Sequence, residues 1–184
     1  AIGLFGLGEL FYAFYEGRKL ALEEVIRQVD AYGCRLVEVT GGEPLLQAEV
    51  YPLMERLLSA GYTVLLETGG HLDVGRVPPA VVKILDVKCP SSGAADKQCW
   101  ANLARLQAHD QVKFVIADRP DYEYARDVLS RYRLDEACAA VLFSPVHGAL
   151  APCRLSQWVL ADRLPVRVQL QVHKYIWGAD ARGV

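Results

Sequence analysis

Apolar runs of strand character alternate with helical patterns along almost the whole chain. No other feature limits the fold as strongly. The strand-like runs are Leu36–Val39 and residues 62–67, 81–87, 112–117, 139–143 and 166–172. Between them lie helical patterns at residues 20–32, 47–60, 97–107, 120–132 and 154–162. In the first of these, Leu20, Val25, Ile26 and Val29 fall on one side, with Glu23, Glu24, Arg27 and Gln28 mainly elsewhere. Strands that alternate with helices imply βαβ units and a mainly parallel sheet. A nearly continuous apolar strand such as Thr63-Val64-Leu65-Leu66 fits a sheet covered on both faces. Six strands of this kind predict an α/β fold, a partial parallel (β/α)6-type barrel smaller than a full eight-unit one. With no repeat, low-complexity tract or linker, the 184 residues read as a single domain over 1–184.

Composition narrows the function classes. Hydrophobic residues make up 52% and charged residues 23%, as in an ordinary soluble chain. A net charge of -2 gives no reason to expect nucleic-acid or membrane binding. The apolar start contains Glu9 and no basic leader, so it makes a poor signal peptide, and a cytoplasmic location is the default expectation. Cys34, Cys89, Cys99, Cys138 and Cys153 are odd in number and scattered, which argues against a disulfide framework. No two share Cys-x-x-Cys spacing, so spacing alone makes neither a zinc nor an iron–sulfur site.

In parallel α/β sheets the ligand sits beyond the carboxyl ends of the strands. The polar residues at those ends are therefore the site candidates. Leu36–Val39 runs into Thr40-Gly41-Gly42-Glu43-Pro44. Glycines there let backbone groups approach a ligand closely, and Glu43 can meet a cationic group. Alone, Gly-Gly-Glu reads as an ordinary strand-to-helix turn with a carboxylate at a helix N-terminus. Pro44 and the strand before the turn point towards a ligand. The later strands end in Glu67-Thr68-Gly69-Gly70-His71, in Asp86-Val87-Lys88-Cys89-Pro90-Ser91-Ser92-Gly93, near residues 113–118, in Ser144-Pro145-Val146-His147-Gly148, and in His173-Lys174-Tyr175. One such end is usually a loop with a helix cap. Their repetition on one side of the sheet favours a site.

Gly-Gly-Glu-Pro resembles the motif with which radical S-adenosylmethionine enzymes hold the methionine amino group of their cofactor. The Cys-Pro-Ser-Ser-Gly loop and the His-Lys-Tyr-Ile-Trp segment narrow the resemblance to the 7-carboxy-7-deazaguanine synthase family. It extends over nearly the whole chain from Tyr12. It implies a radical-mediated ring contraction of 6-carboxy-5,6,7,8-tetrahydropterin to 7-carboxy-7-deazaguanine, with loss of ammonia. It also implies a [4Fe-4S] cluster, S-adenosyl-L-methionine, Mg2+, a reductant protein such as flavodoxin, and leaves a homodimer open. By resemblance Gly42 and Glu43 hold the methionine portion and Gly41 permits the close approach, with Glu67 read either as a ribose contact or as a buried structural carboxylate. Lys88, Cys89, Pro90 and Ser91 would lie against the ribose or adenine. Ser144, Pro145, Val146 and His147 would border the adenine. Thr40, His173 and the chain end Val184 would reach the substrate. Ordinary alternatives stand beside these roles: Asp86 and Lys88 as an exposed strand-end pair, His147 as a surface-loop residue, Cys89 and Trp177 as packing residues.

One departure from the family is large. Tyr12-Ala13 follows Glu9-Leu10-Phe11 directly, with none of the three cluster cysteines that precede this Tyr-Ala pair in the family. The family's Gln-Gly-Glu-Gly substrate loop and magnesium-binding threonine are absent as well. The join between Phe11 and Tyr12 reads as an excision, and the two residues are expected not to be peptide-bonded. Either a segment is missing at that point, or the chain lacks the loop and is a non-catalytic pterin- or nucleotide-binding protein. A different radical S-adenosylmethionine enzyme is the remaining alternative.

Overall fold

The computed structural model describes Ile2–Gly3 and residues 20–178. The expected break between Phe11 and Tyr12, and the expected role of Val184, lie outside the described residues. The chain divides into two compact units, with a boundary after Thr68; Val74–Lys83 belongs with the first unit and Gly69–Asp73 with the second.

In the first unit, strands β1 (Ile2–Gly3), β2 (Leu36–Val39) and β3 (Thr63–Thr68) are parallel, in the register Val37↔Val64 and Val39↔Leu66. Helix α1 (Leu22–Ala31) precedes β2, and α2 (Val50–Ser59) connects β2 to β3. Both begin within three residues of the sequence-predicted starts. Val29 of α1 is buried, as are Val50, Met54 and Leu57 of α2 and Val64 and Leu66 of β3. Burial of these side chains is the main source of stability, at roughly 1.5–3 kcal/mol for each large one. The Arg56–Glu23 pair between the two helices spans 2.6 Å but is exposed, so it contributes little.

In the second unit, β4 (Val82–Val87, from Ile84 on), β5 (Gln111–Ile116), β6 (Ala140–Pro145) and β7 (Arg167–Val168) are again parallel. Side chains alternate between the faces of a strand. On one face Val112, Phe114, Ile116, Val141 and Phe143 are buried, and Phe143 meets Phe114 and Tyr122 edge-on at 5.6 and 6.0 Å. Tyr122 lies in α3 (Arg119–Tyr132), and its hydroxyl donates to Asp162 Oδ2 at 2.8 Å, just past α5 (Pro152–Ala161). A buried phenol needs such a partner. The short α4 (Leu134–Ala137) leads into β6.

Two expectations fail locally. Residues 97–107 do not form an α-helix; they make short 3-10 turns at Ala95–Lys97 and Trp100–Arg105. The cause is polar. Gln98 Nε2 and Asn102 Nδ2 donate to the Gly70 carbonyl at 3.0 and 3.1 Å, and Asn102 also donates to the Leu72 carbonyl at 2.7 Å. The segment is shaped to satisfy those buried carbonyls rather than its own helical ladder. Residues 166–172 likewise contain only the two-residue β7, and Val172 opens a short helix, α6 (Val172–Ile176). Trp177, expected to pack against the last strand, is 55% exposed. Among the described residues no helix is long and apolar enough to cross a membrane.

Candidate cofactor and substrate site

The turn leaving β2 depends on its two glycines. Gly41 (φ 99°) and Gly42 (φ 55°) both take left-handed backbone, where a Cβ is strained. Glu43 then returns to extended backbone and caps the 3-10 turn Pro44–Leu46, accepting from the Leu45 amide at 3.2 Å. Glu43 is buried, and Thr68 Oγ1 at the end of β3 lies 2.8 Å from both of its carboxylate oxygens. Thr40 Oγ1 donates to Glu67 Oε2 at 3.2 Å, and Glu67 is buried too. The first unit thus gathers Thr40, Glu43, Glu67 and Thr68 at the carboxyl ends of two adjacent strands. A carboxylate held in this way is preorganised to receive an ammonium group through charge-assisted hydrogen bonds. Thr68, which the sequence marks only as a strand-end residue, is the side chain that aims Glu43.

In the second unit the buried Asp86 is the next-to-last residue of β4, and the strand leads to Lys88, whose side chain is 28% exposed; Lys88 Nζ lies 2.6 Å from Asp86 Oδ2. Cys89 is buried beyond them. Burial pushes its thiol well above the ordinary value, and the carboxylates of Asp121 and Asp86 push it further the same way. A thiol so disfavoured as thiolate is a packing group rather than a metal ligand. Pro90 opens the turn Pro90–Ser92. Asp121, fully buried in the first turn of α3, holds that turn. It accepts from the Ser91 amide at 3.0 Å, from the Ser91 hydroxyl, and from the Ala117 amide at 3.0 Å. Asp118 caps α3 by accepting from the Asp121 amide at 3.0 Å. A capping Asp followed by Pro is a readable helix start. Nothing in the sequence, however, marks Asp121 as the anchor of a loop 30 residues earlier.

At the end of β6, Ser144 and Pro145 are buried and the Val146 amide donates to the Ile116 carbonyl at 2.9 Å. His147 is exposed, with its ring edge-on to Tyr175 at 5.3 Å. His147, Leu150, Leu170, Gln171 and Tyr175 line a cleft of about 440 Å³. His173 sits in α6 rather than at a strand end.

The sulfur ligands of an iron–sulfur cluster are not found here. All five cysteines are free, and among the described residues no group of three His, Cys, Asp or Glu side chains could hold a metal ion. The donor set present does not fit a [4Fe-4S] cluster.

Parallel strands with polar turns at their carboxyl ends define an α/β fold. Solved structures give the class. The chain is similar to SuiB of Streptococcus suis bound to the precursor peptide SuiA, with a TM-score of 0.63 and 12% identity over 91% of this chain and 47% of that one. It is also similar to SuiB bound to S-adenosylmethionine, with a TM-score of 0.57 over 84% and 44% of the two chains. The chain spans about half the length of SuiB, and the likeness shows the fold alone, a parallel α/β fold as expected from the sequence. No family-level sequence profile matches. Among curated proteins, the 7-carboxy-7-deazaguanine synthase of Koribacter versatilis is 44% identical over 187 residues, covering 94% of this chain and 83% of the relative. That of Chlorobaculum tepidum is 44% identical over 176 residues, covering 94% and 80%. The chain belongs to the 7-carboxy-7-deazaguanine synthase family.

Proposed function

We propose that this protein catalyses the radical-mediated ring contraction of 6-carboxy-5,6,7,8-tetrahydropterin to 7-carboxy-7-deazaguanine, with loss of ammonia, in 7-deazapurine and queuosine biosynthesis. The observation that carries this reading is Glu43: a buried carboxylate, fixed by Thr68 and the Leu45 amide, at the end of the strand that carries Gly-Gly-Glu-Pro. S-adenosyl-L-methionine, when bound, supplies the hydrogen-abstracting chemistry. The chain's own residues bind and orient. Glu43 takes the methionine ammonium, and Gly41 and Gly42 leave room for the ligand beside the backbone. The turn from Lys88 to Ser91 and the segment from Ser144 to His147 border the nucleoside. Thr40, His173 and Val184 reach the pterin. Mg2+, a flavodoxin-type reductant and a homodimer go with the same reading.

The test is product formation. Protein that includes the family's three-cysteine loop, reconstituted anaerobically with iron and sulfide, should convert the pterin in the presence of S-adenosyl-L-methionine and reductant. Cluster-loaded protein that consumes no pterin overturns the proposal.

The dispersal of the five cysteines favours a second reading for the 184-residue chain as it stands: a pterin- or nucleotide-binding protein without turnover. Iron and sulfide content after anaerobic reconstitution separates the two. Cluster-level iron in this chain excludes the second reading, and its absence together with ligand binding supports it.

A further inference from the structure

The last stretch of the described chain is charged differently from the rest. Between Glu136 and Asp180 the sequence sets Arg154, Arg163, Arg167 and Lys174 against one carboxylate, Asp162, in a protein whose formal net charge is -2. Asp162 is already taken: its Oδ2 lies 2.8 Å from Arg126 Nη1 and accepts from the Tyr122 hydroxyl. Arginines elsewhere, such as Arg56, Arg119 and Arg131, are ion-paired. Arg154, Arg163, Arg167 and Lys174 make no ion pair among the described residues, and the three arginines are exposed. Whole-chain charge conceals this asymmetry, because before residue 137 carboxylates outnumber cations.

Apolar exposure is concentrated in the same stretch. Val172, Tyr175 and Ile176 of α6 and the following Trp177 are each more than half exposed. Exposed apolar side chains bordered by unpaired cations, with no carboxylate among them, have the make-up of an interaction surface.

The backbone supplies a third feature. Among the described residues β7 pairs with β6 alone, so its other side is a sheet edge. The Gln169 amide donates to the Phe143 carbonyl at 2.9 Å and so points towards β6. Backbone groups of successive strand residues point to opposite sides, which turns those of Val168 to the open side. Arg163 and Pro165 precede β7, Arg167 lies in it and Lys174 follows in α6, so the cations are strung along this edge rather than gathered in a pocket. Arginine and proline on an edge discourage pairing with a neutral or cationic strand. The same cations favour a strand that brings carboxylates. An open edge, a row of cations and apolar side chains at its end suit strand addition, in which main-chain bonds give affinity and side chains give selectivity. A lipid surface would satisfy the cations but not the backbone groups of the edge. Pairing of this edge with its own copy about a two-fold axis would set cations against cations.

We propose that the open edge of β7 binds an extended acidic segment of a partner protein. The segment's backbone lies against Val168, its carboxylates meet Arg163, Arg167 and Lys174, and its apolar side chains rest on Val172 and Ile176. This goes beyond the ring-contraction reading and does not depend on it.

The experiment is fluorescence anisotropy of the 184-residue protein with fluorescein-labelled decapeptides of alternating glutamate and valine, alternating lysine and valine, and alternating glutamate and proline. The glutamate–proline peptide keeps the charge and loses backbone amides that a strand pair needs. The glutamate–valine peptide should bind roughly tenfold more tightly than either of the others, and less tightly as salt is raised. Arg163→Glu/Arg167→Glu, which alters two exposed side chains, should weaken that binding by roughly tenfold with an unchanged urea midpoint. Equal affinity for the glutamate–valine and glutamate–proline peptides overturns strand addition, and equal affinity for the glutamate–valine and lysine–valine peptides overturns the charge assignment. Unchanged affinity in the double variant overturns the proposal, as does displacement of the peptide from wild-type protein by phosphatidylglycerol vesicles or by a uridine decanucleotide. None of these outcomes bears on pterin turnover.

Discussion

Glu43→Ala is expected to weaken S-adenosyl-L-methionine binding by roughly tenfold to a hundredfold, because a hydrogen-bonded contact to a charged group is worth about 1.5–3 kcal/mol. The structure sharpens the reason. Thr68 Oγ1 lies 2.8 Å from both Glu43 oxygens and the Leu45 amide 3.2 Å from one, so the carboxylate is oriented before the ligand arrives. Removing it also strands those two donors in a buried place, at about 1–3 kcal/mol of folding stability. Calorimetry and a urea melt together separate the two effects. Glu43→Gln keeps the shape and loses the charge, and should lower affinity with a smaller change in midpoint. Thr68→Val should reduce affinity only part of the way. Unchanged affinity in well-folded Glu43→Ala would remove Glu43 from the cofactor site.

Asp121→Ala is expected to have the largest effect on folding. Its carboxylate is fully buried and takes the Ser91 amide, the Ser91 hydroxyl and the Ala117 amide. Truncation leaves these donors without an acceptor, for a loss of about 3 kcal/mol or more. The turn at Cys89–Ser92 should loosen at the same time and weaken nucleoside binding there. Asp118→Ala, which removes only the helix cap, is expected to cost about 1 kcal/mol. Equal urea midpoints for the two variants would show that the Ser91 contacts contribute nothing.

The alternation of strands and helices was legible in the sequence because it is written in side-chain periodicity: β3, β4, β5 and β6 appear within two residues of the expected ends. The same reading failed at residues 97–107 because the decisive force there is long-range. Gln98 and Asn102 look like ordinary helix residues until Gly70 and Leu72 present carbonyls to them. It failed at residues 166–172 because β7 is short, and the chain turns into α6 only three residues after its end. At the candidate site, Glu43 was legible from its glycines and proline. Asp121 was not, since its partner Ser91 lies 30 residues away. Asp86 was visible only as one half of a pair with Lys88; that its Oδ1 is buried without a partner is a property no motif records.

Gly70 carries a constraint of a different kind. It sits at φ 73°, and a Cβ there would fall 2.4 Å from Gln98 Nε2, the group that donates to the Gly70 carbonyl. The two positions therefore cannot drift separately in inheritance. A change at 70 meets both the backbone and the glutamine, while a shortened side chain at 98 relieves only the second obstacle and removes one of the donors to a carbonyl that the Asn102 side chain and the Cys99 backbone amide also serve. In a library randomised at both sites, survivors should keep glycine at 70 almost without exception, whereas 98 should accept those residues able to donate to that carbonyl. Genetic tolerance would thus be lopsided across a contact that looks symmetrical in space.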